Sequence, residues 1–375
     1  MKKVFVLALG CALLAACAAP PARSGQTQSP ALAPAQTTAQ APASSENAAP
    51  GEASLTVMVH DSFAVSEAVM KAFEQDNHAK VTVLKSGDAG AELSKAILSK
   101  AAPIADVMYG VDNTFLSRAL GAGILDPYAS PALANIPDQY KLDKDNRLLP
   151  VDYGHVMVNY DKAFLTQKGL APPQSLRELT DPKWKGLLVV ENPATSSPGL
   201  AFLMASIAAF PDGSAYTWQQ FWKDLRGNDV AISPDWNDAY YTQFSGSSGK
   251  GPRALVVSYA TSPAAEVYFS EGKLKEPPTG NVTGTAFEQI EFVGILHGAK
   301  NRALAEKFVD FMLSKQFQDD IPLQMFVNPV MTGAAEPDVF TKFAQPPKQV
   351  YSLPPDQIDA NRANWIEGWT QTVLK

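Results

Sequence analysis

Cysteine is almost missing from this chain, and the two that occur, Cys11 and Cys17, both lie within its first 17 residues. Everything beyond them therefore has no thiol nucleophile, no disulfide and no cysteine-ligated metal. Histidine is scarce as well. His60, His78, His155 and His297 are scattered without metal-ligand spacing. No P-loop, G-x-S-x-G elbow, H-E-x-x-H or dinucleotide glycine fingerprint occurs. These absences argue against an enzyme. Charge is sparse, at 18% of residues, and leans acidic, with 38 Asp and Glu against 31 Lys and Arg. That balance argues against nucleic acid and is compatible with a cationic ligand, although solubility alone accounts for it.

What is present begins with Met1-Lys2-Lys3, a basic start, followed by an apolar run from Val4 to Ala16. The run is short of the roughly 20 residues of a membrane span. Leu14-Ala15-Ala16 before Cys17 resembles a bacterial lipoprotein signal, with cleavage before Cys17 and lipid on its sulfur. Residues 1–16 are thus expected to be signal, and 17–53 a lipidated Cys17 plus a tether. Residues 18–53 are mostly Ala, Pro, Gln, Ser and Thr, with Arg23, Glu46 and Glu52 their charged residues, a composition that buries nothing. The expected location is the cell envelope, outside the cytoplasm and anchored to a membrane through that lipid.

The rest alternates strand and helix patterns. Leu55–His60, Val81–Leu84 and Ile104–Tyr109 read as strands, each followed by a helical period. Asp61-Ser62, Ser86-Gly87-Asp88 and Asp112-Asn113 are read as helix starts. Leu149–Tyr160 is a further strand, rich in β-branched and aromatic residues. A second α/β unit follows: a short helix at Leu176–Leu179, strands at Leu187–Val190, Val230–Ile232 and Ala254–Tyr259, and helices after Ser197, around Trp218–Leu225 and over Trp236–Phe244. Phe287–Leu296 reads as a strand and Ala303–Leu313 as an amphipathic helix, after which Pro322, Pro329 and Pro337 break the chain. Trp365 and Trp369, four apart on the last helix, read as a packing stripe. The fold class is α/β with two lobes, each a mostly parallel sheet flanked by helices, with a hinge between them. Lobe 1 is expected from 54–152 and 287–330, lobe 2 from 153–286, and a C-terminal helical segment from 331–375.

Open α/β sheets bind ligands beyond the carboxyl ends of their strands. That rule selects His60, Asp61, Ser62, Ser86, Gly87, Asp88, Gly110, Val111, Asp112, Asn113, the loop from Asn192 to Gly199, Trp236, and Tyr259 to Pro263. Each is equally readable as a loop with helix-capping chemistry. Tyr153, Trp236, Tyr240, Tyr241 and Tyr259 lie near acidic or hydroxyl residues, equipment for a flat organic cation, though about half of them are expected to fill cores.

Eight ordered blocks resemble one family, the thiamine-binding subunits of bacterial ABC importers, within the two-lobed periplasmic binding proteins. The blocks are His60-Asp61-Ser62-Phe63, Gly110-Val111-Asp112-Asn113, Val151-Asp152-Tyr153-Gly154, Thr195–Leu200, Trp236–Tyr240, Ser258–Pro263, Ile321-Pro322 with Asn328-Pro329-Val330, and the Trp365/Trp369 segment. The resemblance spans about residues 54–375. It implies a cleft between lobes for thiamine or a thiamine phosphate, no cofactor, delivery to permease subunits, and a monomer. Carried over by position, Trp236, Tyr240 and Tyr259 match ring-holding aromatics, while Ser196 and Ser197 match a hydroxyl loop; Ser262 falls in a matching block. The α-helix start at Thr195–Pro198 suits a phosphate. Three positions depart from the pattern: His60 replaces a tyrosine, Phe326 a tryptophan and Ala265 another aromatic, and the 61–63 loop is shorter. A pyrimidine precursor is the alternative ligand these departures raise. The glycine- and serine-rich insertion Ser245–Arg253 reads as a surface loop.

A buried thiazolium needs a counter-charge. Asp152 is the first candidate, with Asp61 and Asp112 in reserve. A ferric-iron binding protein of the same superfamily is the rival reading, through Tyr240-Tyr241 and His60. Thiaminase-type enzymes share the fold, but their cysteine is absent from residues 18–375.

Overall fold

Alternating apolar residues make β1 (Ala53–Val59), whose Leu55, Val57 and Val59 are fully buried. The structure, a computed structural model, describes residues 53–247 and 251–375. The signal peptide, Cys17 and the tether lie outside the described residues, as do residues 248–250 of the insertion.

Helix α1 (Glu67–Asn77) follows β1, then β2 (Ala79–Lys85), α2 (Ala89–Leu98), β3 (Val107–Asp112), α3 (Leu116–Gly121) and β4 (Leu125–Asp126). The long strand β5 (Leu149–Asp161) leads through α4 (Lys162–Lys168) to β6 (Leu188–Glu191), α5 (Ser197–Ala209), α6 (Trp218–Gly227), β7 (Ala231–Ser233), β8 (Leu255–Tyr259), α7 (Ser262–Phe269) and β9 (Thr279–Asn281). A second long strand, β10 (Ala286–Leu296), precedes α8 (Arg302–Met312), α9 (Lys315–Met325), β11 (Asn328–Pro329), α10 (Asp338–Phe343), β12 (Val350–Tyr351) and α11 (Pro355–Val373).

The strands form one continuous sheet in the order β2-β1-β3-β10-β5-β8-β6-β7. At one end β1 pairs in parallel with β2 and β3; at the other, β6 pairs in parallel with β7 and β8. Between these trios, β10 and β5 run antiparallel to each other and to their outer neighbours. Crossover helices cover parallel trios, because parallel neighbours cannot be joined by tight turns. The central pair needs no helix of its own.

Several local expectations are corrected. Helix α1 is capped by Ser66, which accepts from Val69 N, not by Asp61-Ser62. Asp61 Oδ1 instead accepts from Gly87 N at 2.9 Å, tying the end of β1 to the β2–α2 turn. The third strand starts later than Ile104, because Asp106 spends its carboxylate on Thr56 N (2.8 Å) and Lys300 N (2.7 Å) at its entrance. Asp112 does not cap α3; its Oδ1 accepts from Thr114 N and Phe115 N in a tight turn. Leu176–Leu179 becomes a 3-10 turn over Arg177–Thr180, and the stretch after Trp236 a π-helical segment at Asp238–Gln243. Pro322 does not break the chain, since α9 runs through it. Burial of Phe317, Ile321 and Pro322 on one face compensates for the lost hydrogen bond, which costs about 3 kcal/mol in a helix interior.

The tryptophan stripe is core. Trp369 packs edge-on against Trp222 at 5.7 Å between ring centres, and both are fully buried. Helix α11 thereby fastens onto α6, while its Arg362 guanidinium lies over the Phe115 ring beside α3. The Ser245–Arg253 segment is partly folded in: Ser245 Oγ donates to Asp161 Oδ2 (2.6 Å) and Ser247 Oγ to the Tyr240 carbonyl (2.8 Å).

Candidate functional site

The carboxyl ends of β1, β6, β7 and β8 and the β2–α2 turn open onto a cavity of about 530 Å³, with Glu291 of β10 and the 324–327 segment also in its walls. Its size fits a small organic ligand. Among the described residues no lysine or arginine lines it.

One wall is aromatic. Trp236 stacks on Tyr240 at 5.0 Å and 15°, and meets Tyr241 edge-on at 5.4 Å and Tyr259 at 6.3 Å. Its indole N–H donates to Ser258 Oγ at 2.9 Å, which in turn lies 2.9 Å from Ser262 Oγ. The tryptophan is therefore locked in orientation from behind. Tyr240 OH donates to Glu266 Oε1 (2.7 Å), while Thr279 Oγ1 donates to the other oxygen (2.6 Å). Burial, then the Glu266 charge, holds the Tyr240 phenol well above its usual range, so it stays protonated. Phe326, a bulky residue in the left-handed region at φ 57°, packs against Phe269 at 5.0 Å. The Thr261 hydroxyl donates to its carbonyl and holds that conformation.

The floor is acidic. Asp112, Glu291 and Asp152 are cross-strand partners on β3, β10 and β5. Burial pushes Asp112 and Asp152 up to about 6, and pushes Glu291 well above the carboxylate range. His60 is pulled down to about 4, first by burial and then by Lys85, and is neutral. Glu92 and Glu191 are fully buried with no hydrogen-bond partner on either carboxyl oxygen, and burial raises both well above their usual range. The hydroxyls of Ser196 and Ser197, at the start of α5, are likewise buried without partners.

The two ends of the sheet touch across this cavity. Gly90 N donates to Thr195 O at 3.0 Å, and Trp236 N to Asp88 Oδ2 at 3.4 Å, while Asp88 Oδ1 caps α2. A Cβ on Gly90 would fall 2.8 Å from Ala194 O and 2.9 Å from Thr195 C. Only glycine permits that approach.

Of the residues selected from sequence, His60, Ser62, Ser197, Trp236, Tyr240, Tyr259, Ser262 and Phe326 line the cavity together. The others stand elsewhere. Asp61 is exposed, Ser86 Oγ bonds the Leu84 carbonyl, and Gly87 makes the turn at φ 97°. Asn113 brackets β10 by donating to Glu288 O and accepting from Ile290 N. Asp112 and Ser196 lie behind the lining, and Tyr153 stacks on Tyr140 at 4.9 Å. Asp152 is behind it too, accepting a 2.5 Å hydrogen bond from Tyr109 OH, and the carboxylate of the row that reaches the cavity is Glu291. Glu291 and Glu266 escaped sequence reasoning because nothing local marks them; Asp88, selected from sequence for its place at a strand end, lines the cavity as well.

Two parallel α/β halves joined by long antiparallel strands, with a polar–aromatic cavity at their strand ends, define a two-lobed binding protein. The profile of the bacterial extracellular solute-binding proteins matches residues 102–350, and the chain belongs to that family, whose members bind solutes for transport and are not enzymes. It is 32% identical to the thiamine-binding periplasmic protein of Salmonella typhimurium over 86% of this chain and 94% of that one. The thiamine-binding periplasmic protein of Brucella suis is 31% identical over 86% and 92%. A solved periplasmic thiamin binding protein superposes with a TM-score of 0.76 at 28% identity, covering 87% of this chain and 98% of that one. A ferric binding protein from Campylobacter jejuni shares the fold, with a TM-score of 0.65 at 18% identity and coverage of 85% and 99%.

Proposed function

We propose that this chain captures thiamine, or a close thiamine derivative, outside the cytoplasm and delivers it to the permease of an ABC importer, tethered through lipid on Cys17. The observation that carries the ligand is the cavity itself: stacked aromatic faces on one side, carboxyls on the other and no lysine or arginine in its described lining. A permanent aromatic cation gains from both walls. The relatives named for thiamine binding support the same choice. In this reading the lobes, 54–152 with 287–330 and 153–286, close on the ligand by hinge motion in β5 and β10. Mass spectrometry of ligand released by denaturing protein from its native host tests it; recovery of another compound class in place of thiamine compounds rejects it.

The iron alternative makes a visible claim. Tyr240 is engaged with Glu266 and kept protonated, and Tyr241 is 54% exposed. Among the described residues no group of three or more His, Asp or Glu is placed to hold a metal. Ferric iron added to the purified protein is therefore expected to give no tyrosinate–iron absorption band; a saturable coloured complex reverses the assignment.

The tether is expected to contribute nothing to recognition. Protein starting at Ser54 should bind thiamine within about twofold of the chain starting at Cys17, since surface changes far from a site are near neutral. Loss of binding on truncation, measured by calorimetry, shows that 18–53 belongs to the site.

A further inference from the structure

Asp112, Glu291 and Asp152 stand side by side across the sheet, all three buried. Among the described residues none of them forms an ion pair with a lysine or arginine; the one pairing contact is His60 Nε2, 3.9 Å from Glu291 Oε2. The other groups facing Glu291 are Tyr109 and Asp112 on β3, Asp152 on β5 and Tyr259 on β8, while Gln289 on its own strand donates to its Oε1 at 3.2 Å. Asp88 lines the same cavity, and Met325 is the α9 residue at the Tyr109 hydroxyl.

The Tyr109 hydroxyl lies 2.5 Å from Asp152 Oδ2 and 3.1 Å from Glu291 Oε2. It has a single hydrogen to give. Both contacts reach full strength together only when one of the two carboxyls is itself protonated and donates to the tyrosine oxygen. Two ionised carboxylates flanking one hydroxyl with no cation nearby repel each other, and one of the pair takes up a proton. Burial raises both groups, and the Asp152 charge raises Glu291 further. Of the two, Glu291 faces the cavity.

We propose that this site is a cation–proton exchanger: empty, it keeps a proton on the Glu291–Asp152 pair, and an organic cation entering the cavity expels that proton to solvent and takes its place as the counter-charge. The inference rests on the thiamine reading for the identity of the cation. The proton leaves because a fixed positive charge beside Glu291 favours its ionised form, and the Tyr109 hydrogen then serves the two carboxylates. Nothing in the exchange requires a co-reactant.

The sign follows from linkage. The empty site binds more protons than the filled one, so affinity rises with pH while the empty pair still holds its proton, and levels off above that titration. One full proton exchanged corresponds to about tenfold in affinity per pH unit.

Calorimetry of the mature protein with thiamine, in phosphate and in Tris at about pH 7, reads the proton count from the difference in heat between buffers. The expected result is close to one proton released per thiamine, with affinity rising several-fold from about pH 6 to 7. An N-benzylthiazolium salt, which has no titratable group, should give the same count. In Glu291→Gln, release should fall to near zero and the pH slope should flatten, since the amide cannot lose a proton. Should that variant fail to fold, Asp152→Asn serves: removing the neighbouring charge lets Glu291 ionise earlier and reduces release. Thiamine binding without proton release in the parent, or unchanged release in a folded variant, overturns the exchange and leaves the thiamine reading standing. No binding of thiamine at all overturns both.

Discussion

Gly90→Val is expected to weaken thiamine binding by roughly 100-fold, the factor that follows if the closed form drops to about one molecule in a hundred. Gly90 N donates to Thr195 O, and a Cβ at this position would stand 2.8 Å from Ala194 O and 2.9 Å from Thr195 C. Both obstacles are backbone, and Thr195 is further pinned by its Oγ1 hydrogen bond to Pro234 O at 2.8 Å. The loop therefore cannot retreat by a rotamer change, and the halves must stay apart. Within its own half the added Cβ meets the edge of Phe115, at 2.9 Å. Overpacking of that kind costs about 1–3 kcal/mol, which a domain of this size tolerates. Small-angle scattering with saturating thiamine should show Gly90→Val staying expanded where the parent contracts. Gly121→Val is the control, because nothing lies within 4 Å of a Cβ there. Parent-like affinity in Gly90→Val shows that the contact between α2 and the 194–195 loop is not needed to hold the ligand.

The second large effect is on stability alone. Trp222 is fully buried on α6, ringed by Phe202 at 5.6 Å, Phe221 at 5.8 Å and Trp369 at 5.7 Å. Its indole N–H donates to Ser206 Oγ at 3.0 Å, which is itself buried. Trp222→Ala leaves a cavity the size of an indole between α5, α6 and α11, and is expected to cost about 3–5 kcal/mol. At about 2 °C per kcal/mol for a chain of this length, the melting temperature should fall by roughly 6–10 °C. Thiamine affinity of the folded fraction should not change, since Trp222 has no atom in the cavity lining. Thermal unfolding with and without thiamine checks both halves of the claim. A melting temperature within 2 °C of the parent means that α11 closes the gap unaided.

The order of strands and helices was legible in the sequence because each period is local: a strand alternates every second residue, and an amphipathic helix returns every third or fourth. Leu55, Val57 and Val59 announce β1 without help from the rest of the chain. Chain breaks were less legible. Pro322 looks like a stop until its buried face is seen, and the start of β3 depends on what Asp106 bonds fifty residues upstream at Thr56 and far downstream at Lys300.

The candidate site divides the same way. Sequence alone, through its aromatic residues near strand ends and its family resemblance, determined that Trp236, Tyr240 and Tyr259 belong with His60 and Ser197, because strand ends are where such folds expose side chains. Tertiary structure decided which carboxylate of the buried row reaches the cavity. Asp152 and Glu291 are adjacent on β5 and β10 yet more than a hundred residues apart in sequence, and Glu291 is the one in the cavity lining. It also decided that the row lies buried without a lysine or arginine partner among the described residues. The physical reason is that a carboxyl's charge state depends on the neighbours and the solvent it loses on folding, and those come from other strands. Sequence reading singled out Asp112 and Asp152; only the sheet register puts Glu291 in line between them.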